Sequence, residues 1–231
     1  MISRIPKKMH AVLLNGHGGL DKLEYRSDVE VPFPKEDEVL INIKGAGINN
    51  TDINTRTGWY SKSSVENADD GSWSGNPLNF PIIQGADICG VIVAVGSSVD
   101  NKRIGERVIV RTMQTVPKNK NNFSAWTVGS ECNGGFAQYA SIRSSEAFLI
   151  NSNWTDADIA SIPCAYSTAE GLLHRSQVGE EKVFITGASG GVGSAAIQLA
   201  KLRGATIIAQ CSSEKKMRLK KLVLIKLFLE K

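Results

Sequence analysis

The residues best placed to do chemistry in this chain form one glycine-rich run, Thr186-Gly187-Ala188-Ser189-Gly190-Gly191-Val192-Gly193-Ser194-Ala195-Ala196. Glycines let a backbone come close to a bulky anion, and the free N–H groups at a helix start attract negative charge. Gly190 is placed to approach a pyrophosphate, and Gly193 to let a helix pack tightly on the preceding strand. The candidate contact set is Ala188, Ser189, Gly190, Gly191, Val192 and Gly193. A bare glycine turn is weak evidence, and the first glycine of the usual pattern is Ala188 here. The flanks add the weight. The apolar run Lys182-Val183-Phe184-Ile185 precedes the turn, helical spacing runs from Ala195 to Arg203, and a second strand-like run covers Ala205 to Gln210. Strand, glycine turn, helix, strand is the opening half of a dinucleotide-binding fold.

Upstream, residues 9 to about 150 read as mostly β. Strand-like runs are Met9–Leu14, Val39–Lys44, Val91–Val95, Arg107–Val110 and Phe136–Ile142, separated by turns such as Gly16-His17-Gly18-Gly19. A short helix capped by Asn49 or Asn50 is expected over Asp52 to Arg56. Ser61 to Asn79 and Met113 to Ser130 are polar and aperiodic, and read as long surface loops. Helical patterns cover Asp156–Ser161 and Ser167–Arg175.

At 231 residues the chain can hold one large or two small domains. Its net charge of +4 is concentrated at the end: from Glu214 onward seven basic residues face two acidic ones, leaving about −1 for the rest. No aromatic interleaving accompanies those lysines, so a solvated helix face is expected rather than nucleic-acid binding. Cys89, Cys132, Cys164 and Cys211 are widely spaced with no CxxC pair, which argues against a disulfide framework and points to the reducing cytoplasm. No apolar run is long enough for a membrane span.

Five blocks in order resemble the medium-chain dehydrogenase/reductase superfamily. They are Gly47-Ile48-Asn49-Asn50-Thr51-Asp52, the stretch from Gly85 to Gly96, Gly105-Glu106-Arg107-Val108, Cys164-Ala165-Tyr166-Ser167-Thr168-Ala169, and the glycine turn. The resemblance implies a β-rich GroES-like barrel domain over 1–150. An interdomain helix and an α/β Rossmann domain, incomplete and reduced to its first βαβ, follow over 151–231. It also implies a small-molecule substrate, with no nucleic-acid or membrane partner.

Zinc-using members of that superfamily take ligands from a Cys in the first turn, a His in a Gly-His-Glu block, and a Cys or Asp before the interdomain helix. Here those places hold Asn49, Ala86 and Cys164. One thiolate cannot hold a catalytic zinc that needs three protein ligands, so no metal is expected. Without a Lewis acid, acceptors that delocalise charge themselves are favoured, namely quinones and α,β-unsaturated carbonyls. Asn at position 49 resembles the quinone and enoyl reductase branches.

The second strand ends in Cys211-Ser212-Ser213, with Lys215, Lys216 and Arg218 following. No carboxylate stands where NAD-binding domains use one for the ribose hydroxyls, and lysine can neutralise a 2′-phosphate. By resemblance Ser212 and Lys216 contact that phosphate, so NADPH is the expected cofactor. Asn49 and Thr168 match positions that touch the nicotinamide. Thr51 matches a proton-relay hydroxyl, although it can equally cap a helix. Asp52 is expected to orient the turn, and Tyr60 matches a pocket tyrosine.

After Leu222 the family continues with Gly-Ala-Asp into a third strand, whereas this chain reads Val223 to Lys231 with a helix-like apolar pattern. Loss of one guanine from that glycine codon would produce such an ending. The expectation is an NADPH-dependent oxidoreductase impaired by truncation. Such a chain leaves an unpaired edge at Val183–Thr186, and the family-typical homodimer is in doubt for it. The alternative is a non-catalytic remnant or a barrel-fold interaction module.

Overall fold

The computed structural model describes residues 5–62, 71–215 and 226–229, and divides into two compact units, Met1–Pro163 and Cys164–Lys231. The expected domain boundary at 150 falls inside the first of these.

In the first unit the elements run β1 (Lys8–Leu14), β2 (Leu23–Glu30), β3 (Glu38–Gly47), α1 (Asn50–Arg56), β4 (Ile82–Ile83) and β5 (Asp87–Val95). They continue with β6 (Arg107–Val110), β7 (Met113–Gln114), β8 (Trp126–Thr127), β9 (Tyr139–Arg143), β10 (Ala147–Leu149) and α2 (Asp156–Ala160). Five antiparallel strands form one sheet in the order β10-β6-β5-β3-β9, and a second has the order β2-β1-β4. The interior strand β3 contributes to cores on both of its faces. Val39 and Ile41 enter one core with Ile88, Ile92, Val108 and Val110, while Leu40 enters another with Met9, Ala11 and Ile83.

Residues 136–138 join the two sheets. The N–H of Val12 donates to the carbonyl of Phe136, and Gln138 both donates to His10 and accepts from Ile43. That shared pairing explains the single run expected over Phe136–Ile142, of which only the part from Tyr139 is regular strand. The expected loop 113–130 contains a short ladder, β7 with β8. Strand β2 was invisible in the sequence because its exposed face carries Glu24, Arg26 and Asp28 instead of an apolar alternation. Helix α2 lies directly on β3. A Cβ at Gly45 would stand 2.5 Å from the Asp156 carbonyl, and one at Gly47 2.4 Å from that of Ala160. Only glycine admits so close a helix.

The second unit contains most of α3 (Pro163–Arg175), then β11 (Lys182–Ile185), α4 (Gly191–Leu202), β12 (Thr206–Cys211) and β13 (Lys226–Leu229). Helix α3 starts four residues before the expected Ser167, and α4 four before Ala195. The three strands are parallel in the order β11-β12-β13. The structure therefore goes one strand past the expected βαβ. Residues 226–229 lie in the tail whose helix-like apolar pattern was expected to be accidental, and they pair with β12, a short apolar run being compatible with either state. Among the described residues β11 pairs only with β12, and Phe184 on it is exposed. Ala188, Ile197, Ala200, Ala205, Ile207 and Ala209 form the core of this unit. Among the described residues no helix is long and apolar enough to cross a membrane.

Candidate functional site

Strand β3 ends at Gly47, and the chain turns through Asn49 into α1. Asn49 has extended backbone angles (φ −129°, ψ 164°) and caps the helix. Its N–H donates to Asp52 Oδ2 at 2.8 Å, closing a capping box. Asp52 then ties the helix to the 84–86 segment. Its Oδ1 accepts from the N–H groups of Gly85 (3.2 Å) and Ala86 (3.1 Å), and its carbonyl accepts from Gln84 Nε2 at 2.8 Å. Gly85 needs its glycine: φ is +103°, and a Cβ there would strike the N atoms of Phe136 and Gly135. Asp52 is 5 % exposed. Burial pushes its carboxyl above the ordinary value, against the pull of the backbone N–H groups of Asn49, Ala86 and Gly85. Both of its oxygens are engaged by the backbone, so its geometry is that of a positioning group.

Asn49 Nδ2 donates to Asp87 Oδ2 at 3.2 Å, and Asn49 Oδ1 accepts from the N–H of Asn50 at 2.9 Å. The carboxamide is thus hydrogen-bonded at both ends. Beside it, Thr51 Oγ1 accepts from Trp73 Nε1 at 2.8 Å and from Tyr60 Oη at 3.3 Å. Asn54 Nδ2 in turn donates to Tyr60 Oη at 3.3 Å. The Tyr60 and Trp73 ring centroids are 4.7 Å apart with planes tilted by 33°, and Trp59 meets Tyr60 edge-on at 5.4 Å. The four residues expected to act, Asn49, Thr51, Asp52 and Tyr60, are therefore gathered around α1.

The residues at the places assigned to zinc do not fit that metal. An amide that donates through its nitrogen and a methyl group offer no ligand pair, and Ala86 is buried among backbone. Among the described residues no three His, Cys, Asp or Glu side chains come together.

In the second unit the glycine turn has the shape of an anion cradle. Gly187 has φ +56°, and the N–H of Ala188 donates to the Gln210 carbonyl, fixing the turn to β12. A Cβ at Gly193 would lie 2.4 Å from the Gly187 carbonyl oxygen and 2.7 Å from the Ala188 Cα. Helix α4 can meet the turn only through glycine at that position. At Gly190, its N-cap, no side chain caps the helix, and a Cβ would meet nothing nearer than the Gly187 oxygen at 3.3 Å. The first amides of α4 are left for an anion such as the pyrophosphate of a dinucleotide, so the residues fit that cofactor. Ser189 and Val192 are half-buried and Gly191 is exposed beside this turn. Thr168 is exposed on α3 with its hydroxyl donating to the Cys164 carbonyl at 2.7 Å. Ala169 of the same helix packs on Ala195 and Ala196 of α4. Ser212 is half-buried just past β12, whereas Lys216 lies outside the described residues.

Residues 35–152 match the alcohol dehydrogenase GroES-like domain. The chain belongs to that family. Over 93 % of its length this GroES-like protein is 31 % identical to an NADPH-dependent alkenal/one oxidoreductase, chloroplastic, of Arabidopsis thaliana, covering 50 % of that protein. It is 32 % identical to the quinone oxidoreductase of Homo sapiens over 90 % of its length, covering 54 % of it. A solved structure from Sinorhizobium meliloti 1021, described as a candidate alcohol dehydrogenase, superposes with a TM-score of 0.83 at 42 % identity, over 94 % of this chain and 61 % of that one. The chain thus spans about half the length of the curated relatives it matches. The medium-chain dehydrogenase/reductase superfamily, an oxidoreductase superfamily, holds all of these.

Three residues of the GroES-like site were not singled out in the sequence. Asp87 lies in the barrel hairpin block and Gln84 immediately before it, where only their closeness to α1 gives them a role. Trp73 lies in the polar stretch between α1 and β4, and no periodicity marks it.

Proposed function

We propose that this chain is of an NADPH-dependent, zinc-independent reductase of quinones or α,β-unsaturated carbonyls. The observation that carries the reading is Asn49. At the place of a zinc-ligating cysteine it presents a carboxamide, held by Asp87 on one side and by the Asn50 amide on the other. The names of the Arabidopsis and human relatives support the same substrate classes.

When bound, the nicotinamide cofactor supplies a hydride. This chain's residues do the rest. The Gly187–Gly193 turn grips the pyrophosphate through backbone amides, with no side chain to compete. Ser212 and Lys216 receive the 2′-phosphate, with no carboxylate at the end of β12 to repel it. Asp52 holds the α1 turn rigid. Asn49 and Thr51 offer hydrogen bonds where negative charge builds on a substrate oxygen. An acceptor that spreads this charge by conjugation needs no metal beside it.

Lys216→Glu tests the cofactor assignment. The variant should bind NADPH about 10- to 100-fold more weakly, the cost of one charge-assisted contact, and NADH nearly as before. Titration calorimetry reads both. Equal losses for the two cofactors would make Lys216 a structural residue and withdraw the NADPH assignment.

A further inference from the structure

A hydroxyl has two lone pairs and one proton. Both lone pairs of Thr51 Oγ1 are engaged, by Trp73 Nε1 at 2.8 Å and by Tyr60 Oη at 3.3 Å. The indole N–H is a donor only, so the first of these bonds has one direction. Asn54 Nδ2 donates to Tyr60 Oη, which leaves the tyrosine proton for Thr51. The chain of donors runs Asn54, Tyr60, Thr51, and among the described residues the Thr51 hydroxyl keeps its own proton to give.

Trp73 is held from behind. Its backbone N–H donates to Ser130 Oγ at 3.4 Å, the Ser74 N–H donates to Glu131 Oε1 at 2.9 Å, and Ser72 Oγ donates to the Asn76 carbonyl at 2.6 Å. Yet 42 % of the residue stays exposed, as does 71 % of Trp59. A tethered indole with its polar atom satisfied and part of its surface open presents an apolar wall, backed by the tilted Tyr60 ring. An aromatic wall favours a planar π-system over a puckered chain, because only flat ligands stack over its whole face.

We propose that Trp73 is a positioning and specificity-determining residue of this site. Its indole N–H aims the Thr51 hydroxyl as a donor to a substrate carbonyl oxygen, and its exposed ring, beside the tilted Tyr60 ring, selects planar conjugated carbonyls. The inference rests on the reductase reading above for the meaning of that selection, and its test does not depend on turnover.

Three ligands separate the two contributions by calorimetry on the full chain: trans-4-phenyl-3-buten-2-one, its saturated analogue 4-phenyl-2-butanone, and trans-1-phenyl-1-butene, which is flat but has no carbonyl. The unsubstituted protein should prefer the enone to each of the others by roughly fivefold or more. Trp73→Phe keeps a ring and removes the N–H: preference over the saturated ketone should persist, and preference over the alkene should fall. Thr51→Val should lose the same second preference. Trp73→Leu should lose both. These are ratios within each folded variant, so a purely structural role would leave them in place while lowering the melting temperature. Absence of binding or of preference in the unsubstituted chain overturns the inference, as does a Trp73→Leu protein that keeps both preferences. If the preferences behave as stated but the chain binds no NADPH, the reductase reading fails and the assignment of Trp73 stands.

Discussion

Replacing Asp52 by alanine should test how the α1 turn is held. The substitution removes the carboxylate that closes the capping box on Asn49, a loss of about 1 kcal/mol. It also strips the acceptor from the Gly85 and Ala86 amides, each costing about 1–3 kcal/mol when buried without a partner. Ala86 is 1 % exposed, so bulk water does not replace the lost acceptor freely. Together these losses come to about 3–7 kcal/mol, a large share of the 5–15 kcal/mol typical of a whole domain. Asp52→Asn keeps one oxygen for Gly85 and Ala86 and places an NH2 against the Asn49 N–H, so it should fall between the two. All four tryptophans precede residue 155, so urea denaturation followed by tryptophan fluorescence reports the first unit alone. The pH dependence carries a definite sign. Burial raises the folded-state pKa of Asp52 above its unfolded value, so the folded protein holds this proton more tightly. The stability this contributes is complete below the unfolded pKa of 3.8 and is lost as pH rises through the folded one. The gap between the unsubstituted protein and Asp52→Ala should therefore be wider at pH 4 than at pH 7. A gap that widens toward pH 7 would mean that the three backbone N–H groups outweigh burial. A gap below about 1 kcal/mol at both pH values would refute the tether itself.

Gly193→Ala should cost the second unit about 1–3 kcal/mol by circular dichroism melting, because its Cβ meets rigid backbone. Gly190→Ala brings its Cβ to 3.3 Å from the Gly187 oxygen, a milder approach than at Gly193, and should lower the melting temperature less while weakening NADPH binding; unchanged binding would move the pyrophosphate away from this turn. The Cys89 thiol is pushed up to about 11 by burial and by Asp156 beside it. At pH 8 only about one molecule in a thousand carries its thiolate, so iodoacetamide should leave it unlabelled until the protein is unfolded, as peptide mass spectrometry would show. Elemental analysis after chelator dialysis should find well under about 0.1 zinc per chain; one zinc retained per chain would overturn the reading of Asn49 and Ala86.

Much of the second unit could be read from local sequence. The glycine turn, α4 and β12 are consecutive, and their constraints act between residues close in the chain: Gly193 must be glycine because Gly187 and Ala188 lie six and five residues before it. The capping of α1 by Asn49 was legible for the same reason. Residues 226–229 were not, because four apolar-rich residues fit either periodicity and only pairing with β12 decides between them. The sequence by itself determined the oxidoreductase superfamily and the order of its two parts, since both rest on short motifs in a row. Only the tertiary structure decided how the site is assembled. Asp52 meets Gln84, Gly85 and Ala86 across 32 to 34 residues, and Asn49 meets Asp87 across 38. Trp73, 22 residues from Thr51, reaches its hydroxyl only because Ser130 and Glu131, 57 residues further on, hold its backbone. A hydrogen bond depends on distance in space, and separation along the chain carries no mark of which donor will meet which acceptor.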